Sequence, residues 1–90
     1  PLNVNFLAKS QLNLSNKFAG SLEKRWVNTK YKIANNKVPF FPESLGLLEA
    51  KVEKKVISGD HTIIICLITN CINLNTKKPL IYYKSKYHTV

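Results

Sequence analysis

The stretch that most constrains this chain is Ser58–Ile72. Ser58-Gly59-Asp60 reads as a tight turn. Behind it, His61–Ile72 carries apolar side chains toward both faces of an extended strand: Ile63, Ile64, Ile65, Cys66, Leu67 and Ile68. Such a strand belongs in the middle of a sheet, covered on both sides. In front of the turn, Leu48–Val56 alternates. Leu48, Ala50, Val52 and Val56 face one side; Glu49, Lys51, Glu53 and Lys55 face the other, as in a half-buried strand. A helix could use Leu45, Leu48, Val52 and Val56, but the turn and the β-branched run behind it favour strand.

The remaining sequence supplies little cover for such a pair. Asn3–Leu7 reads as a short strand with Val4 and Phe6 on one face. Ser10 as N-cap and Gly20 past the C-terminus frame a short helix over Gln11–Ala19, where Leu14 and Phe18 are i,i+4 neighbours. Ser21–Lys37 is polar, basic and weakly periodic, so it reads as a loop. Its Trp26 is expected to anchor that loop by packing; a stacking platform for a base or flavin is the alternative. Pro39 and Pro42 bracket Phe40-Phe41 and keep that stretch extended or turned. After a polar turn at Asn73–Pro79, Leu80–Val90 is expected to complete a three-strand antiparallel meander. The expected fold class is therefore mainly β with one short helix. One helix cannot cover both faces of the middle strand, so a second copy or a further part of the domain must do so.

Ninety residues allow one small domain with a thin core. No apolar run is long enough to cross a membrane as a helix. Pro1-Leu2-Asn3-Val4 has neither a basic n-region nor a long apolar run, so no signal peptide is expected. The formal charge is +9, from thirteen lysines and one arginine against five acids. Lysine, asparagine and isoleucine are in joint excess, which AT-rich coding produces without selection for a partner. An arginine-poor set also lacks the bidentate fork suited to phosphate and base recognition. A small RNA-binding protein is thus the less favoured reading, although a basic surface does raise the encounter rate with anionic ligands. Cys66 and Cys71 lie five apart. On one strand they point to opposite faces and cannot pair, so two buried free thiols in a reducing compartment are expected, with no metal site.

Four segments, in order, resemble the flavin reductase-like family of FMN-binding split barrels. The first is Val4-Asn5-Phe6-Leu7-Ala8-Lys9-Ser10-Gln11. The second is Leu14-Ser15-Asn16-Lys17-Phe18-Ala19-Gly20. The third runs Leu48-Glu49-Ala50-Lys51-Val52 and then Ser58-Gly59-Asp60-His61-Thr62-Ile63. The fourth is Pro79-Leu80-Ile81-Tyr82-Tyr83-Lys84-Ser85-Lys86-Tyr87. Gly-Asp-His-Thr together with the tyrosine-rich end, at the family spacing, is the more specific signal. Ser21–Lys37 alone falls outside it. The resemblance implies a split β-barrel of which residues 1–90 form one incomplete domain, with Pro1 near the middle of the family's domain. The preceding half would hold the Ser/Thr-rich loop against the flavin ring and the loop for its phosphate.

The same resemblance implies an NAD(P)H-dependent flavin reductase that uses FMN or FAD and works as a cytoplasmic homodimer; with the composition above, neither a membrane nor a nucleic-acid partner is expected. A non-catalytic flavin-binding remnant is the alternative. By resemblance His61 is catalytic, sitting beside nicotinamide and flavin, where it would orient the donor or stabilise charge on the reduced ring. Otherwise it is a strand-end histidine bonded to Asp60 or the turn backbone. Asp60 reads as a turn former. Tyr87 would line the cofactor pocket, and Lys17, Phe18 and Gly20 would form a flavin-proximal helix end, with Lys17 meeting an anionic phosphate or standing solvated. Three departures stand out. Cys66 and Leu67 replace the family's Gly and Glu, Ala50 replaces its Cys, and Lys84-Ser85 replaces an Arg-Gly where a turn would need positive φ.

Overall fold

The computed structural model describes residues 1–88. Its main sheet is three-stranded, in the order β1-β4-β5. β1 (Leu2–Phe6) and β5 (His61–Asn73) both pair antiparallel with β4 (Gly46–Ser58). The middle strand is thus β4, and β5 is an edge. This corrects the expectation that His61–Ile72 is central. Its physical cause is at the other end of the chain. Residues 80–88 do not continue the sheet. β6 (Ile81–Tyr83) and β7 (Lys86–His88) pair with each other as a separate hairpin. Nothing among the described residues therefore lies along the outer side of β5. The expected third strand over Leu80–Val90 is that hairpin, and Thr89 and Val90 lie outside the described residues. Mainly β with one short helix stands as expected.

The turn of this last hairpin is unusual chemistry. Lys84 and Ser85 have φ of 51° and 60°. A two-residue turn with both φ positive matches strand twist, but it favours Asn-Gly or Gly-Gly. The positive φ is therefore adopted without the glycine that normally allows it. At the β4–β5 turn the choice is conventional: Gly59 takes φ 62° at the first central position.

The helical segment opens with a 3-10 turn at Lys9–Gln11 and continues as α1 (Leu12–Ala19). Ser10 lies inside that turn and is not the cap. Instead the Gln11 side-chain oxygen accepts from the Ala8 N–H at 2.8 Å, and its Nε2 donates to the Ser44 hydroxyl at 3.2 Å. Gly20 closes the helix, as expected, its N–H donating to the Lys17 carbonyl. Within 21–37 the expected loop contains β2 (Lys32–Ile33), paired with β3 (Pro39–Phe40) around a turn where Lys37 has φ 69°.

The core sits where β4 runs between β1 and β5. Leu47 and Ala50 are buried, together with Ala8 and Ala34. Gly46 is squeezed between the same neighbours: a Cβ there would lie 3.0 Å from the Ile72 carbonyl. Glu49 was expected on the solvent face and is instead only 1% exposed. The 34–38 turn lies over that face. The Asn36 N–H and the Asn70 amide donate to the two Glu49 carboxylate oxygens, at 2.9 and 2.8 Å. A buried carboxylate needs such partners. Two irregularities also break the simple alternation, one between Glu49 and Ala50 and one between Val52 and Lys54.

Beyond Ala50, β1 no longer flanks β4, and the β4–β5 hairpin extends alone. There Ile63, Ile64, Ile65, Leu67 and Ile68 are each about half exposed. Cys71 is exposed and Cys66 half-buried, both free, so the expectation of two buried thiols is corrected. Among the described residues no helix is long and apolar enough to cross a membrane.

Candidate functional site

Four of the five singled-out residues gather around α1. Residue spacing puts Leu14, Lys17 and Phe18 on adjoining faces of the helix. Phe18 packs edge-to-face on both Trp26 and Phe41, with ring centroids 5.1 Å apart in each case. Trp26 also meets Tyr31 at 5.3 Å and Phe41 at 5.8 Å. Each such pair contributes about 0.5–1.5 kcal/mol beyond its buried area. Together they fasten the 21–31 loop to the helix, so Trp26 is the packing anchor the sequence indicated.

Lys17 Nζ donates to the Val27 carbonyl, which ties the same loop to α1. The Thr29 hydroxyl donates to the Arg25 carbonyl at 2.7 Å. Between these ties Asn28 is held at φ 55°, a conformation asparagine tolerates better than most residues. Gly20 follows at the helix end with φ of −90°, so no left-handed conformation requires glycine there. A Cβ on it would meet the Lys17 and Asn16 carbonyls, at 3.4 and 3.7 Å.

Tyr87 reaches α1 from the C-terminal hairpin. The hydroxyls of Tyr87 and Ser15 share a hydrogen bond of 2.8 Å. Tyr82 stacks edge-on against Tyr87 at 5.0 Å. The hairpin is carried to this place by backbone bonds from Lys9 N–H to the Lys78 carbonyl and from Leu80 N–H to the Leu7 carbonyl.

His61 stands apart from this group. It opens β5 at the closed end of the β4–β5 hairpin, opposite Ser58. Its Nε2 lies 3.4 Å from Asp60 Oδ1, and both side chains are largely exposed. This is the local turn contact foreseen as its structural alternative, and at that exposure it adds little stability.

Two half-open cavities flank the aromatic cluster. One, of about 300 Å³, lies between α1, residues 28–30 and residues 41–43. Leu14, Phe41 and Pro42 form an apolar wall; Asn13, Asn28 and Lys30 face it, with Lys17 alongside. The second, of about 350 Å³, lies over β1 and is lined by Phe18, Trp26, Phe41 and Pro39 with Asn3 and Asn5. Gly20, His61 and Tyr87 line neither. Asn13, Asn28, Lys30 and Phe41 were not singled out from sequence. Their convergence depends on how the 21–31 loop folds back, and the only hint of that was Trp26.

Over residues 1–90 the chain matches the family model described as flavin reductase like domain. It belongs to that family. A curated relative from Rhizobium meliloti (strain 1021), named "Probable flavin reductase", is 29% identical over 66 residues, 73% of this chain and 21% of that protein. The solved structure of flavin reductase PheA2 in its native state is 32% identical, with a TM-score of 0.84 over 98% of this chain and 56% of its own. The flavin reductase HpaC complexed with NADP+ is 28% identical, with a TM-score of 0.85 over 98% and 56%. The chain thus spans about half the length of these solved family members, and a smaller share of the curated relative. The family match bears out the resemblance carried by the four sequence segments, and the split-barrel expectation with it.

Proposed function

We propose that this protein is an NAD(P)H-dependent flavin reductase, passing hydride from a nicotinamide nucleotide to FMN or FAD. The observation that carries this reading is the family match across all 90 residues. The NADP+ complex of the related HpaC supports the choice of donor. Bound flavin and nicotinamide supply the redox chemistry; the chain supplies position, shape and field. An apolar wall facing amides and lysine ammonium groups fits one portion of such a ligand, since about 300 Å³ lies at the lower end of ligand-pocket volumes. Phe18, Lys17 and Gly20 act here through the helix end. Phe18 holds the aromatic cluster, Lys17 holds the loop, and Gly20 lets a ring or backbone approach closely. Tyr87 presents its ring beside α1.

In this reading the protein works as a cytoplasmic homodimer. Support comes from the free thiols of Cys66 and Cys71, which suit a reducing compartment, and from the exposed apolar faces of β5. Dimerisation would bury the β4–β5 hairpin and give His61 the enclosed surroundings that a role beside the nicotinamide requires. The domain of residues 1–90 is one part of the whole flavin-binding unit.

The test mixes purified protein with FMN and NADH and follows the nicotinamide absorbance band alongside flavin retention on a desalting column. Retention with oxidation is the expected result. Retention without oxidation would favour a second reading, flavin binding without turnover, which the half-length span relative to PheA2 and HpaC makes specific. Neither retention nor oxidation would remove the proposed activity while leaving the family membership intact.

A further inference from the structure

We infer that Glu49 is a positioning residue: through Asn36 and Asn3 it sets where the 34–41 segment stands, and so where Phe41 places the aromatic wall shared by the two cavities. This rests on the flavin reductase reading and deepens it.

The β2–β3 hairpin needs an anchor. β2 and β3 pair only with each other, and neither joins the main sheet. The turn between them closes on itself, with the Ala34 N–H on the Val38 carbonyl at 2.9 Å and the Lys37 N–H on the Ala34 carbonyl at 3.0 Å. Side chains tie it to the sheet. Glu49 Oε1 accepts from the Asn36 N–H in the turn, and Oε2 accepts from the Asn70 amide on β5. The Asn36 side chain uses both of its ends. Its Oδ1 accepts from the Val38 N–H at 3.2 Å, and its Nδ2 donates to Asn3 Oδ1 at 2.5 Å. Asn3 Nδ2 in turn donates to the Val38 carbonyl at 3.2 Å. One network thus joins β4, β5, the turn and β1, with Glu49 at its root.

The residue type matters. Glu49 is buried and forms no ion pair among the described residues. A carboxylate accepts and never donates, so each oxygen fixes where an N–H must stand, and its charge makes those bonds stronger than neutral ones. An apolar residue would avoid the desolvation cost and would leave the turn without a register on the sheet.

Phe41 is where this placement is felt. β3 ends at Phe40, and the next residue lines both cavities. The Phe41 N–H donates to Asn5 Oδ1 at 3.0 Å, and its carbonyl accepts from the Ser44 N–H at 3.1 Å. Those bonds hold its backbone; the Glu49 network sets the direction of the strand that leads into it. The ring then meets Phe18 and Trp26. Asn3 sits opposite Glu49 and Asn5 opposite Leu47. The polar anchors therefore share one face of the sheet, the face beneath the second cavity.

Trp26 is the only tryptophan and touches Phe41, so its emission reports on the wall. The wild type is compared with Glu49→Ala, Glu49→Gln, and Glu49→Gln combined with Asn70→Asp. Glu49→Gln keeps one acceptor but turns an amide donor toward the Asn70 amide, and Asn70→Asp gives that donor an acceptor. Leu47→Ala is the control, since Leu47 is buried on the same face but outside the network. Circular dichroism confirms folding at the assay temperature; should Glu49→Ala fail to fold, Glu49→Gln carries the same comparison. Both single Glu49 variants should shift Trp26 emission to longer wavelength. They should raise KM for FMN about tenfold with kcat within about twofold, since a displaced wall weakens binding more than chemistry. The combined variant should recover both readouts, and Leu47→Ala should move neither. Unchanged emission in Glu49→Gln, an equal change in Leu47→Ala, or no recovery in the combined variant overturns the inference. A recoverable emission shift with KM unmoved overturns the part of Glu49 in the reaction. If the wild type neither retains nor reduces FMN, the flavin reading falls, and the emission shift with its recovery still decides whether Glu49 positions Phe41.

Discussion

The two halves of the β4–β5 hairpin are one continuous ladder in very different surroundings. Near its open end, Leu47, Glu49 and Ala50 are each 2% exposed or less. Toward the turn, Ile63, Ile64 and Ile65 are 53, 47 and 49% exposed. Strand-forming residues abound in both halves. What differs is the neighbour. β1 and the 34–38 turn cover the first half, and neither reaches the second. Extended structure thus follows from local sequence and turn chemistry, whereas burial is conferred by whatever packs alongside.

The strongest test sets the two halves against each other. Leu47→Ala should lose about 2–5 kcal/mol in denaturant unfolding, as a cavity in a tight core does. Ile64→Ala should lose under about 1 kcal/mol in dilute protein, and more as protein concentration rises if copies cover the hairpin. A core-sized loss from Ile64→Ala at every concentration would erase the contrast. Next in size is Glu49→Ala, which leaves the Asn36 N–H and Asn70 amide without their acceptor and should cost about 1–3 kcal/mol in the same assay. Ser85→Gly should raise stability by about 1 kcal/mol, seen as a higher melting temperature, because φ of 60° is strained for serine. Gly20→Ala should shift stability least, within about 0.5 kcal/mol, since its Cβ would make only ordinary contact. Loss of flavin retention with stability unchanged would then mark Gly20 as a point of close ligand approach.

Much of this was legible in the residues. The turn at Gly59-Asp60, the strands on either side, the short helix and the packing role of Trp26 all follow from spacing and local chemistry. Three features did not follow, each for its own reason. Glu49 alternates as a solvent residue, and only the return of Asn36 from thirteen residues upstream reveals its partner. His61–Ile72 has the composition of a middle strand, and composition records what a strand can bury, not what is beside it. Lys84-Ser85 argues against a tight turn, yet the cross-strand pairs Ile81–His88 and Tyr82–Tyr87 form around it. Of the motif residues named from sequence, Lys17 lines one cavity and Phe18 the other, while Gly20 and Tyr87 line neither. The cavity wall at Asn28 and Lys30 was not legible, because a left-handed turn inside a polar loop leaves no periodic trace.

The exposed hairpin has one last property, which concerns growth. Along β4 beyond Ala50 the charged residues are Lys51, Glu53, Lys54 and Lys55, which discourage another strand from adding there. Along β5, from His61 to Asn73, there is no Lys, Arg, Asp or Glu. The hairpin therefore has one guarded edge and one open edge. In the proposed dimer, a strand joining the open edge of one copy to the same edge of another would use up both and close the assembly at two. Had both edges been open, the same residues would template a fibre.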